Sequence, residues 1–228
     1  MDPVLDSFAT GGTSSSGSST SYSITTGNLR GSGILFVGTT CQAVEASLQN
    51  VSSVTVNGVS LSNIARVSAN NGGGYGSRTE LWALIGNTIP QSGTYTISIT
   101  YAGSVEAIAS GAMAFYNLRP ASANVTATNS ANGTNPLSVN ITPTRANTLI
   151  VAIYGSQNDA SVTVGDGQTK AYESRPSSAL TNCGSYKILR APGLTTMSAG
   201  FVNPESEEII ASAYESIPAG GNFIFNLL

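Results

Sequence analysis

Four acids fall in two local pairs, Asp159 with Asp166 and Glu205 with Glu207. Two carboxylates at short range can cleave a glycoside, one protonating the leaving oxygen while the other attacks or activates water. The plainer reading outweighs this in both places. Asp166 precedes Gly167 in a turn, where Asp is favoured for backbone reasons, and the Glu205–Glu208 group reads as a loop beside Asn203-Pro204. Calcium is the other chemistry open to such acids, but the ordered ligand spacing of a calcium loop is missing. The chain contains no histidine, which removes Ser-His-Asp and Cys-His nucleophiles, His-based zinc sites and an imidazole base. No catalytic, cofactor-binding or metal-ligating residue is assigned, no cofactor is expected, and the reading is of a protein that is not an enzyme.

The remaining chemistry is that of contact. Trp82, the single tryptophan, shares one face of the strand "ELWALI" with Glu80 and Leu84. It is a candidate sugar platform, although a lone aromatic in an alternating strand more often packs in a core. Tyr75 stands in the glycine-rich stretch Asn70–Gly76, which reads as a mobile recognition loop. The tail from Pro218 to Leu228 alternates Phe223, Phe225 and Leu227 against Ile224, Asn226 and Leu228. It is too apolar to hang in water and should add a strand to its own sheet or to a neighbour's.

Charge limits the partners. Nine Lys and Arg stand against twelve Asp and Glu, and only 9% of 228 residues are charged, against about 25% in ordinary soluble domains. That is no basic footprint for nucleic acid. No apolar run approaches the roughly 20 residues of a membrane helix, and the start MDPVLDSFATGG lacks the basic and apolar regions of a secretory signal. The expected address is therefore a cytoplasm at synthesis, with a Ser/Thr/Asn/Gly surface that suits life outside the cell. Cys41 and Cys183 occupy non-equivalent places and read as free thiols, with one long-range bridge as the alternative.

The elements that must position these residues are strands. Val4–Thr10 and Ser21–Thr25 alternate with period two, and the Gly/Ser/Thr tract Gly11–Thr20 between them reads as a flexible loop. Gly33–Thr40 is a continuous apolar run suited to a strand buried on both faces. Val51–Ser62 is a hairpin through Asn57-Gly58, and Ala160–Ala171 is its counterpart through Asp166-Gly167. The best helical window, Cys41–Gln49, is short and uncapped at its start. Thr79–Leu118 has an echo in Gly184–Ile217, and five segments recur in one order, which points to internal duplication. The expectation is an all-β antiparallel sandwich, jelly-roll-like in its connections, with two sequence-related halves at 1–118 and 119–217 and an apolar extension at 218–228. Either each half is its own sandwich or both merge into one.

The strings "ILFVGTT", "VSSVTVNGVSLS", "TELWALIGNTIPQSGTYTISITYAGSVEAIASGAMAFYNL", "LIVAIYGS", "SVTVGDGQTKAY" and "IIASAYESI" together resemble a duplicated β-sandwich module of tailed-phage structural proteins and bacterial surface proteins. That resemblance covers the chain up to Ile217 and implies an interaction or scaffold role, with no functional residue carried over. The expectation is a virion structural protein of a tailed phage: a capsid decoration or cement subunit first, a tail or fibre component next. Its partners would be capsid or tail proteins and copies of itself. A carbohydrate-binding or adhesive surface module, with a glycan as partner, is the alternative; neither nucleic acid nor membrane is expected.

Overall fold

Strands whose residues are apolar or small on both faces survive only between two covering layers, and this chain has several. β3 (Ile34–Val44) is buried from Ile34 to Ala43, and β12 (Thr148–Ser156) along its whole length. Each is the middle strand of a five-stranded antiparallel sheet. The first sheet runs β1 (Val4–Thr13), β9 (Ala107–Tyr116), β3, β7 (Tyr75–Ile85), β6 (Ser62–Asn70). The second runs β10 (Val125–Asn132), β17 (Ser206–Glu215), β12, β15 (Leu180–Leu189), β14 (Thr169–Ser177). The structure is a computed structural model describing residues 1–13, 16–27, 32–44, 50–70, 74–86, 92–157, 161–177 and 180–218.

A smaller sheet covers each large one. β2 (Gly17–Thr26), β8 (Gly93–Val105), β4 (Val51–Val56) and β5 (Val59–Ser60) cover the first. β11 (Leu137–Ile141), β16 (Thr195–Phe201) and β13 (Val162–Val164) cover the second. The result is an antiparallel β-sandwich of four layers. Leu35, Val37, Val54, Ile97 and Trp82 fill the first inter-sheet core, and Ile150, Tyr154, Met197 and Phe201 fill another. A third core, with Phe36, Phe115, Leu149, Ile153 and Tyr214, lies between the two five-stranded sheets and fastens the halves together. So each half makes its own sandwich, and the two stack back to back.

The two large sheets share one strand order if β10 is set against β1, and the small ones do too, with β5 lacking a counterpart. One irregularity is shared as well. The β6–β7 ladder shifts register between Asn63 and Ala65, opposite Trp82 and Leu81. Correspondingly, the β14–β15 ladder shifts between Lys170 and Tyr172, opposite Ser185 and Gly184. The halves meet about a local pseudo-twofold, with β1 against β14 and β6 against β10, the self-complementary arrangement of a symmetric dimer.

Sequence-based expectations fail in specific places. The tract Gly11–Thr20 is largely strand, belonging to β1 and β2. Gly11 is there because the Tyr22 ring lies on it: a β-carbon at Gly11 would be 2.1 Å from Tyr22 Cδ1. Tyr75 and Gly76 are the first residues of β7, while 71–73 lie outside the described residues. Asn57-Gly58 makes the expected hairpin, with φ of 45° and 83°. Asp166-Gly167 is a turn but joins no paired strands, because β13 pairs with β16 and β14 with β15. No strand answers to β5 there, and the chain passes from the outer sheet to the inner one. Cys41–Val44 is strand, not helix, and 45–49 lie outside the described residues. Glu207 and Glu208 are in β17, not in a loop.

Candidate functional site

Alternation along the first outer sheet turns Ile24, Ile97, Ile99, Val54 and Val56 inward. It turns outward Ser19, Ser21, Ser23 and Thr25 of β2, Thr94, Thr96, Ser98 and Thr100 of β8, Ser53 and Thr55 of β4, and Ser60 of β5. The ladders set these hydroxyls in rows: Ser19, Thr100 and Ser53; then Ser21, Ser98, Thr55 and Ser60; then Ser23 with Thr96, and Thr25 with Thr94. Neighbouring rows are spaced about 6.7 Å along the strands, and neighbours within a row about 4.8 Å. Thr25 and Thr94 share a hydroxyl hydrogen bond of 2.9 Å. No charged side chain stands among these rows. The opposite outer sheet turns out Ser138, Asn140, Thr163 and Thr196, and Thr196 donates to Asn140 Oδ1 at 2.8 Å.

The second unusual place is inside, on the seam between the two large sheets. Glu208 of β17 has no exposed surface, yet its carboxyl crosses into the first half. Its Oε1 accepts from the Ala69 amide at 3.0 Å and from the Ser77 hydroxyl, and its Oε2 accepts from Thr79 Oγ1 at 3.2 Å. A chain of neutral groups continues from there. Thr79 and Thr40 share a hydrogen bond of 2.9 Å, Asn182 Nδ2 donates to Thr40 Oγ1 at 2.8 Å, and the Tyr172 hydroxyl donates to Asn182 Oδ1 at 2.8 Å. The network crosses the seam twice, at Glu208–Thr79 and at Thr40–Asn182, and is buried throughout, an arrangement costly to leave partly satisfied. Gly155 makes room for it: a β-carbon there would be 1.9 Å from Thr79 Oγ1 and 2.7 Å from Glu208 Oε2. Burial pushes the Glu208 carboxyl up to about 8, against its hydroxyl and amide donors.

Two further carboxyls are interior. Glu80 accepts from the Val51 amide at 3.0 Å, Asn63 Nδ2 at 3.0 Å and Trp82 Nε1 at 3.1 Å, and burial raises its pKa. Glu207 points to the face of β17 opposite Glu208, and neither of its oxygens makes a well-formed hydrogen bond. Burial lifts it to about 7, although the amides of Thr134 and Gly133 direct favourable charge at it and the Glu205 carboxylate opposes them. Alternate faces of one strand cannot bring Glu207 and Glu208 to one substrate atom. Asp166 and Glu205 are exposed, and Asp159 lies outside the described residues. Among the described residues, no three His, Cys, Asp or Glu side chains gather as a metal would require.

Of the contact candidates, Trp82 is 8% exposed and belongs to the first core. It is therefore corrected from a surface platform to a packing residue that also donates to Glu80. Tyr75 is 40% exposed and pairs across the ladder with Val44, itself 44% exposed. Phe223, Phe225 and Leu227 lie outside the described residues. Cys41 and Cys183 are buried in separate cores, and burial pushes each thiol up to about 12. The sequence reading missed Thr40, Glu80, Tyr172, Asn182 and Glu208. One signal was present: an acidic pair opening the run "SEEIIASAY", which is otherwise apolar or small. No helix among the described residues is long and apolar enough to cross a membrane. No protein-family model matches this chain, and no curated protein matches it in sequence.

Proposed function

We propose that this protein is a non-catalytic structural subunit of a tailed-phage virion, a capsid decoration or cement protein before a tail or fibre component. The observation that carries the reading is the outward face of β2, β8, β4 and β5, an ordered and uncharged hydroxyl surface on a rigid four-layer body. Such a face loses little desolvation energy when it is covered, because it carries no ion to strip of water. It can meet a protein lattice through many modest hydrogen bonds, which sum when copies bind side by side. Mass spectrometry of particles purified from lysates in which this chain is made tests the reading. A defined copy number that drops when Thr96 and Ser98 are both replaced by Lys supports it, and absence of the chain from the particles overturns it.

Tyr75 favours a second reading, that of a carbohydrate-binding or adhesive module. A tyrosine 40% exposed at the start of a buried strand is a usable stacking surface. Binding to a glycan array that disappears on Tyr75→Ala would put this reading first. Array binding that survives the change would remove Tyr75 from it.

A further inference from the structure

We infer that Glu208 is a proton-operated clasp: its neutral carboxyl holds one end of the seam between the two halves closed, and its ionisation loosens that end while the other stays shut.

The asymmetry of the seam carries the inference. By the shared strand order and register, the pseudo-twofold partner of the Glu208–Ser77 contact is Ala109 against Leu180. Ala107, Ala109 and Leu180 form a small buried apolar cluster, indifferent to pH. At the other end, the same position in the fold holds a carboxyl whose donors, one amide and two hydroxyls, are uncharged. Charge at Glu208 therefore has only dipoles to oppose the loss of hydration. Water is near. A shallow groove along the meeting edges of β6 and β10 is lined by Ser68, Ala69, Asn70, Ser130, Ala131 and Asn132. Glu208 pairs with Ser130 across β17 and β10, and its carboxyl accepts from the Ala69 amide. Parting these edges would hydrate the carboxylate without disturbing either half's own core.

The ionisable groups around it do not neutralise it. Glu207, next on β17, faces away and its charge disfavours ionisation of Glu208. On β7, Arg78 turns to Ser68 and Asn50, and Glu80 accepts from Val51, Asn63 and Trp82. Cys41 on β3 faces the first core with a thiol held neutral by burial, and Glu208 raises it further. β10 contributes no ionisable side chain, and the nearest part of β12 is Gly155. The hydroxyl chain also responds. With Glu208 ionised, Thr79 must donate to the carboxylate and Thr40 to Thr79; with Glu208 neutral, both can turn round.

The sign follows from linkage. The carboxyl holds its proton to higher pH when clasped than when hydrated, so the clasp weakens from about pH 4.5 until it ionises in place near pH 8, and is constant above that. The test is hydrogen exchange of the Ala69 amide in the full chain from pH 5 to pH 9, corrected for intrinsic rates, with a carbon-13 carboxyl titration of Glu208. The expected result is an opening constant at Ala69 that rises by up to about a thousandfold over that window. Amides beside Leu180 should stay flat, and Glu208→Gln should abolish the rise at Ala69. A native titration midpoint near that of a free glutamate, or an unchanged pH profile in Glu208→Gln, would overturn the clasp. Should Glu208→Gln not fold, the wild-type titration decides by itself. None of these outcomes depends on whether the chain is part of a virion.

Discussion

The Tyr172 ring occupies the space where a side chain on Gly111 would stand: a β-carbon there would lie 2.2 Å from Tyr172 Cε2. Gly38 and Gly184 complete the slot, with β-carbons that would meet the same side chain at 2.5 Å and 2.2 Å. The pseudo-twofold equivalents of Tyr172, Gly38, Gly111 and Gly184 are Ala65, Ile153, Ile210 and Leu81. Large and small have been exchanged across the seam. A first half set against another first half would leave a void, and two second halves would collide.

This exchange predicts coupling. Gly111→Ile should destabilise by about 1–3 kcal/mol through overpacking and Tyr172→Ala by about 3–5 kcal/mol through a cavity. The double variant should cost less than the sum, by about 1–3 kcal/mol. Urea denaturation of the four proteins checks it, and simple additivity would refute the exchange.

Gly155 is predicted to be intolerant for a different reason. Gly155→Ala drives a methyl into Thr79 Oγ1 and Glu208 Oε2, so it should break part of the buried network and cost on the order of 2 kcal/mol. Thr79→Ala removes the nearest of these atoms and leaves Glu208 Oε2 and Thr40 Oγ1 to give way, so Gly155→Ala should be milder in that background. Thermal unfolding reads the difference, and an equal cost in both backgrounds counts against the stated clash.

Glu207 should impose its own pH dependence. Its carboxyl is lifted to about 7, so the folded protein binds more protons than the unfolded chain between about pH 4.5 and pH 7, and stability falls across that window. Glu207→Gln should flatten this part of the profile and leave the Glu208 contribution in place. Denaturant midpoints at half-unit steps of pH measure it, and an unaltered slope below pH 7 would contradict the assignment.

The thiols should be silent. Cys41 and Cys183 are buried in different cores and held protonated well above neutral pH, so native protein should not react with a disulfide reagent at pH 8. Both should react at the rate of unfolding once urea is added. Labelling of folded protein within minutes would show that one core opens far more readily than its packing implies.

Many strand positions were legible because alternation, apolar runs and Asn57-Gly58 are local signals, whereas β6, whose burial does not alternate, was not. The strand orders of the two large sheets coincide when β10 is set against β1. What the reading lost were residues whose partners are distant. Gly11 looked like linker because the Tyr22 ring that requires it lies on the next strand. Glu208 looked like loop because its donors are 129 and more residues away, at Ala69, Ser77 and Thr79.

The amino-acid order by itself determined an all-strand chain of low charge, because period-two patterning and turn chemistry act over a few residues. The stacking of two sandwiches through their large sheets was decided only in three dimensions. So were the slot for Tyr172 and the burial of three carboxyls. Each depends on volumes and dipoles brought together from separate strands, across the seam for Tyr172 and Glu208 and within one half for Glu80 and Glu207, and no local pattern encodes which glycine will face which ring or which glutamate will be deprived of water.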